Sequence, residues 1–226
     1  MKIIKVKDYE ELSSIAAELI AKQVKEKPNS VLGLATGSTP IGTYKKLIEA
    51  GADFFDVTTF NLDEYCGLSQ DHPQSYYHFM KENLFNHVNI KHGSYHFPDE
   101  KEVEEYEIKI KHAGGIDLQL LGVGSNGHIG FNEPDKVFHS KTRVVVLADS
   151  TIQDNARFFA RVDDVPIKAV TMGIKTIMRA RKIILVAGSE KEDVIKELEN
   201  PVVDPQFPVS ILHLHPDCTV IYVTAS

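Results

Sequence analysis

The feature that most restricts how this chain folds is an alternation, repeated along its length, of short apolar runs with longer stretches whose apolar residues recur at helical spacing. The runs fall at 31–35, 57–62, 116–123, 183–187 and 219–223. Runs this short, apolar on both faces, suit strands that are covered on both sides. The intervening stretches supply the cover. Leu12, Ile15, Ala16, Leu19, Ile20 and Val24 share one helical face behind a capping box of Asp8 and Glu11, and Pro28-Asn29 ends the pattern. Ile41, Tyr44, Leu47 and Ile48 repeat it, and further helices are expected over 75–85, 99–112 and 190–198. Strands alternating with helices predict the α/β class in its doubly wound form, a mostly parallel sheet with helices on both faces. At 226 residues the chain fits one domain, 1–226, with a single core. The Pro-containing segment 200–208 reads as a loop inside that domain.

Charge and composition narrow the partners. A formal net charge of −7 argues against binding nucleic acid or an acidic membrane, which needs a cationic surface to displace counterions. No apolar run reaches the roughly 20 residues of a bilayer span. Asp8, Glu10 and Glu11 interrupt the N-terminal segment where a signal peptide would keep its apolar stretch. Cys66 and Cys218 stand far apart, without the paired spacing of a zinc or redox motif. A cytoplasmic protein with no nucleic-acid or membrane partner is expected.

In doubly wound sheets ligands bind beyond the carboxyl ends of the strands, and four strand-to-helix loops carry suitable chemistry. Thr36-Gly37-Ser38-Thr39-Pro40 offers backbone donors and hydroxyls at a helix start, which suits a phosphate, although Ser38 or Thr39 could equally cap that helix. It lacks the Gly-Lys-Ser/Thr ending of a P-loop. Asp63-Glu64 follows a strand, where a carboxylate can act as a base, hold a metal, or merely turn the chain. The third loop, 122–134, sets glycines around His128 with Asn126 and Glu133 in reach, an arrangement suited to acid/base work. A dinucleotide loop is the rival reading of those glycines, weakened by His128 standing where helix packing would begin. In the fourth, Lys191 at a helix start suits either a phosphate or solvent, and Arg157 is a further cation in an apolar setting.

The segments LATGSTPIGTYKKL (34–47), TFNLDEYCGL (59–68), LGVGSNGHIGFNEP (121–134), DNARFF (154–159), VTMGIKTI (170–177) and LHLHP (212–216) together resemble the glucosamine-6-phosphate deaminase family, in that family's order and over nearly the whole chain. The resemblance implies a three-layer α/β/α modified Rossmann-like fold with a mobile lid near 145–175. It implies conversion of glucosamine 6-phosphate and water into fructose 6-phosphate and ammonia, in amino-sugar catabolism. Asp63 then matches the base that moves a proton between C2 and C1, and His128 the group that opens the sugar ring, with Glu133 and Asn126 beside it. Gly37, Ser38, Thr39, Arg157 and Lys191 match positions that hold the phosphate. No metal or cofactor is implied.

Two departures from the family pattern alter expectations. Asn126 stands where many members have Asp, so this partner of His128 carries no charge and should support an imidazolium less well. Val145 stands where allosteric relatives have a basic residue, and those relatives continue beyond the last strand. A monomer or small homo-oligomer without activation by N-acetylglucosamine 6-phosphate is expected. The rivals are a 6-phosphogluconolactonase, disfavoured by the Asp63-Glu64-Tyr65 and Phe131-Asn132-Glu133-Pro134 segments, and a sugar-phosphate sensor without turnover. His213 and His215 read as packing and hydrogen-bonding residues ahead of a metal site. Phe54, Phe55, Phe79, Phe85, Phe158 and Phe159 read as filling core or lid, and the run 101–107 as the solvated face of a helix.

Overall fold

The computed structural model describes residues 1–157 and 159–224, the side chains at 150 and 154 excepted; Phe158 therefore lies outside the described residues. In chain order the elements are β1 (Lys2–Val6), α1 (Tyr9–Glu26), β2 (Val31–Leu34), α2 (Pro40–Glu49), β3 (Thr58–Asn61), β4 (Asp63–Tyr65), α3 (Tyr76–Asn83), β5 (Tyr95–His96), α4 (Val103–His112), β6 (Leu118–Leu121), β7 (Arg143–Val146), α5 (Asp149–Ala156), β8 (Lys168–Thr171), α6 (Ile174–Met178), β9 (Lys182–Ala187), α7 (Glu192–Leu198) and β10 (Cys218–Val223).

Seven strands form one parallel sheet in the order β1-β10-β9-β6-β2-β3-β5. The chain builds outward from β2 through β3 to β5, then returns to set β6 against the other side of β2 and builds outward again. This reversal leaves a crevice between the ends of β2 and β6, where doubly wound sheets bind ligands. Alternation along the strands divides the core. Ile184 and Val186 of β9 join Leu32, Leu34 and Leu120 beneath α1, α2 and α3, while Ile183 and Leu185 join Phe60, Leu121 and Val220 beneath α4, α6 and α7. The result is the three-layer α/β/α arrangement.

The strand expected over 57–62 is two strands. Leu62 donates its N–H to Leu34 O (2.9 Å) and accepts at its carbonyl from Met172 N (2.8 Å), so the chain leaves the parallel sheet there. Beyond it, β4, β8 and β7 make a small antiparallel sheet, with Thr171 in register with both Asp63 and Arg143. The segment expected as a lid, 145–175, divides accordingly. Ala169, Val170, Thr171 and Met172 are fully buried, so 168–175 belongs to the scaffold, and α5 is the part that lies at the mouth of the crevice.

Local details bear on the other expectations. Asp8 caps α1 by accepting from Glu11 N (2.8 Å), and Glu11 reaches back to Lys7 N (3.0 Å), one residue beyond the usual capping-box partner. α4 starts at Val103 because the Asp99 carboxylate accepts from Lys101 N (2.7 Å) and holds 99–102 in a turn. Glu107 corrects the solvated reading of 101–107: its Oε1 accepts from Thr142 N, Thr142 Oγ1 and Thr176 Oγ1. Phe55 corrects the core reading, being half exposed with Lys91 Nζ 3.9 Å from its ring centre, whereas Phe54 and Phe85 are buried and Phe79 packs beside them. His213 Nε2 faces Leu198 O and buried His215 Nε2 faces Ala180 O, as expected of structural histidines.

At the opposite end of the sheet from the crevice, buried Asp117 accepts from Val31 N (2.8 Å), Lys27 Nζ (2.7 Å) and Arg181 Nη1 (3.1 Å). The two cations keep partial access to water, so the group left stranded without Asp117 is the buried Val31 N–H. Asp117→Ala should cost about 2 kcal/mol and lower the melting temperature by roughly 4–8 °C; thermal unfolding followed by circular dichroism measures it, and an unchanged midpoint would show that this end of the sheet does not depend on the contact.

Candidate active site

The crevice is a cavity of about 500 Å³ lined by the loop after β2, by Asp63, by the glycine-rich loop after β6, by α5 and by the start of α7. It brings together Gly37, Ser38, Thr39, Asp63, His128, Arg157 and Lys191, all but two of the residues singled out in the sequence. The two others, Asn126 and Glu133, hold His128 without lining the cavity.

The start of α2, Arg157 and Lys191 are among the residues that line the cavity. Thr39 makes no side-chain capping bond to α2, which removes the simple capping role for it. The loop is braced from outside: Tyr9 on α1 accepts from Gly42 N (2.8 Å) and points its hydroxyl at Thr39 O (2.9 Å) and Ser38 O (3.1 Å). Backbone N–H groups at a helix start, with two cations lining the same cavity, favour an anion.

Asp63 lines the same cavity. Its side chain is buried, and no group among the described residues donates a hydrogen bond to it. The rings of Tyr65, Tyr76 and Phe131 pack against one another nearby, with centroids 4.8–6.2 Å apart. Burial, and then the adjacent Glu64 carboxylate, push Asp63 up to about 8. Glu64 faces away and is held by Tyr65 N, Tyr76 N and Tyr77 N, which fasten the start of α3 to β4. Burial raises Glu64 too, and those three amides oppose the rise. Gly130 allows the close approach here: its φ is +57°, and a Cβ would lie 2.8 Å from Thr171 Oγ1 and 3.5 Å from Asp63 Oδ2.

His128 lines the cavity as well. A Cβ on Gly124 would fall inside the imidazole, so only glycine lets the ring fold over that strand of the loop. His128 Nδ1 faces Asn126 Oδ1 at 2.7 Å and Glu133 Oε2 at 3.4 Å. Both are acceptors, which places a proton on Nδ1 and leaves Nε2 to take up or release another. Asn126 is locked in turn, with Nδ2 donating to Glu133 Oε2 (2.7 Å) and Oδ1 accepting from His128 N (3.2 Å). Glu133 also accepts from Thr151 Oγ1 (2.5 Å). Burial alone would raise Glu133, but His128 beside it and the hydrogen bonds from Thr151 and Asn126 bring it down to about 2. The neutral Asn126 therefore does not deprive the imidazole of a negative partner, because Glu133 supplies one.

Tyr76, Thr151 and Asn155 also line the cavity, and the sequence did not single them out. Thr151 carries no motif of its own, whereas Asn155 lies in the DNARFF segment; their i, i+4 spacing on α5 is the signal that joins them.

Asp63 gives a stability prediction whose sign follows from its position. An unfolded aspartate titrates near 3.9, well below the value of about 8 in the fold. Its contribution is thus fully favourable below the unfolded value and is lost progressively up to about pH 8. Asp63→Asn removes that loss. The variant should melt above the wild type at pH 8, with the difference shrinking steadily toward pH 5; a difference independent of pH in calorimetry would overturn the assignment of a destabilising buried carboxylate.

A family model described as glucosamine-6-phosphate isomerases/6-phosphogluconolactonase matches residues 7–221. The chain is 54% identical to the glucosamine-6-phosphate deaminase of Thermoanaerobacter pseudethanolicus, covering 98% of this chain and 92% of the relative. It is 55% identical to that of Clostridium novyi, with 98% and 96% covered. A solved monomeric glucosamine-6-phosphate deaminase superposes with a TM-score of 0.96 at 45% identity, over 99% of this chain and 97% of that one. A 6-phosphogluconolactonase from Thermotoga maritima, 22% identical with a TM-score of 0.77 over 99% of both chains, shares the fold. With the match running from residue 7 to residue 221, this chain belongs to the family of glucosamine-6-phosphate isomerases and 6-phosphogluconolactonases.

Proposed function

We propose that this chain is a glucosamine-6-phosphate deaminase, converting D-glucosamine 6-phosphate and water into D-fructose 6-phosphate and ammonia. The observation that carries this reading is one cavity holding an anion-binding end, a histidine relay, and a buried carboxylate free of hydrogen-bond donors among the described residues. Relatives above 50% identity over nearly the full chain bear the name of the same enzyme.

The substrate phosphate sits against the backbone of Gly37, Ser38 and Thr39 with Arg157 and Lys191, and contributes binding energy that orients carbons remote from it. His128, aligned by Asn126 and Glu133, exchanges a proton with the ring oxygen and opens the sugar. Asp63 then takes the proton from C2, giving an enolamine. Returning that proton to C1 leaves an imine at C2; water adds there, and the carbon–nitrogen bond breaks to release ammonia. A hydroxyl proton suits imidazole and a carbon proton suits the more strongly basic, desolvated carboxylate, so the two transfers fall to different groups. Each step is a proton transfer or an exchange of water for ammonia, within reach of the chain's own groups. All of these residues belong to a single chain, so a monomer suffices, and the cytoplasm is where sugar phosphates are formed and retained.

A coupled assay for ammonia and fructose 6-phosphate tests the reading. Asp63 must be ionised to act, so kcat/KM should climb as pH rises toward about 8, and Asp63→Asn should reduce kcat by about 10³-fold or more. Loss of 6-phosphogluconolactone without ammonia release, or full turnover by Asp63→Asn, would rule the reading out. Lys191→Met should raise KM roughly 10- to 150-fold, corresponding to a charged contact of about 1.5–3 kcal/mol; steady-state kinetics showing an unchanged KM would remove Lys191 from the phosphate site.

A further inference from the structure

The contact that joins α5 to the histidine relay has no part in the steps above. α5 buries little of its own surface; among its residues Thr151 is the well-buried one with a described side chain. It spends that burial on a single polar contact, Thr151 Oγ1 to Glu133 Oε1. Asn155, one turn on, lines the cavity beside it. Arg157 closes the same helix and lines the same cavity. The helix thus touches the relay with its first turn and brings a cation to the cavity at its end.

Glu133 has two oxygens and two tasks. With Oε1 taken by Thr151, Oε2 is the oxygen left to face His128 Nδ1 and Asn126 Nδ2. Without the hydroxyl, Asn126 Nδ2 is the one donor left to hold the carboxylate, whose last torsion has a broad, soft potential, and the alignment of Nδ1 with its anionic partner is loosened.

We propose that Thr151 is a positioning residue for ring opening: its hydroxyl fixes the rotation of Glu133 and, through it, the alignment of His128. This rests on the deaminase reading and adds to it a residue of α5 that holds the relay in line.

The test compares Thr151→Val, nearly isosteric, with Thr151→Ser, which restores the hydroxyl. Kinetics with glucosamine 6-phosphate are measured beside inhibition by the reduced, open-chain amino-sugar alcohol phosphate, which binds without ring opening. Thr151→Val should lower kcat about 10- to 100-fold, with KM and the inhibition constant within twofold of wild type, and Thr151→Ser should recover most of kcat. In a Glu133→Gln background the same Thr151→Val change should add no further loss. Unchanged kcat in Thr151→Val, parallel loss of kcat and inhibitor affinity, or full additivity with Glu133→Gln would each overturn the proposal. The deaminase reading has a separate control: wild type that releases no ammonia fails that reading, whereas wild type that turns over beside an unaffected Thr151→Val fails this proposal alone.

Discussion

The site depends on burying an aspartate carboxylate at the wall of the crevice with no hydrogen-bond donor to it among the described residues. Ordinary folding resists this, because a buried charge either finds a counter-ion or takes up a proton. Asp63 is kept in place by its neighbours on both sides in sequence. Leu62 is bonded through its backbone to β2 and to the end of β8, and Glu64 is clamped by three amides at the start of α3. The side chain between them is left facing the crevice with no freedom to turn toward a donor. The cost in stability is what gives the carboxylate its basicity, and the large apolar layers on both faces of the sheet carry that cost.

The topology explains why such different chemistries meet. Because the order of building reverses beside β2, the loops after β2 and β6 face each other although more than eighty residues separate them. One loop begins a helix and presents N–H groups to an anion. The other continues as an irregular, glycine-rich turn that can bend an imidazole over its own backbone. The small antiparallel sheet then adds the third component, bringing Asp63 beside Thr171, whose hydroxyl accepts from Phe131 N (3.0 Å) at the end of the histidine loop.

Much of this was legible in the sequence. Both-face apolar runs separated by helical periods identified the sheet and its layers, and the loops rich in Gly, Ser, His and Asp pointed to the end where the crevice lies. What escaped notice shares a physical cause. β1 carries Lys2 and Lys5 because it is an edge strand with little to bury. β5 is two residues long and gives no period at all. β4 was merged with β3 because one leucine separates them, and the bend between them is made by hydrogen bonds to residues distant in sequence. Glu107 and Thr151 look like solvated helix residues locally and become structural only through partners far along the chain. Local pattern reports which faces are apolar; it does not report which polar groups a turn of the chain will bring opposite one another.

The charge at the histidine relay illustrates the same limit. Taken by itself, Asn126 in place of an acid suggests a weaker hold on a protonated imidazole. Placed in the fold, its amide has two different jobs: the carbonyl takes the His128 Nδ1 proton and the NH2 group binds Glu133 Oε2. A carboxylate at 126 would set two anionic oxygens at the 2.7 Å separation that the amide now spans, a repulsion relieved only by a shared proton or by the imidazolium itself. The amide therefore lets Glu133 stay ionised at any pH where the protein works, with its value held at about 2. In the mechanism we propose, the proton offered to the sugar is therefore the one on the ring.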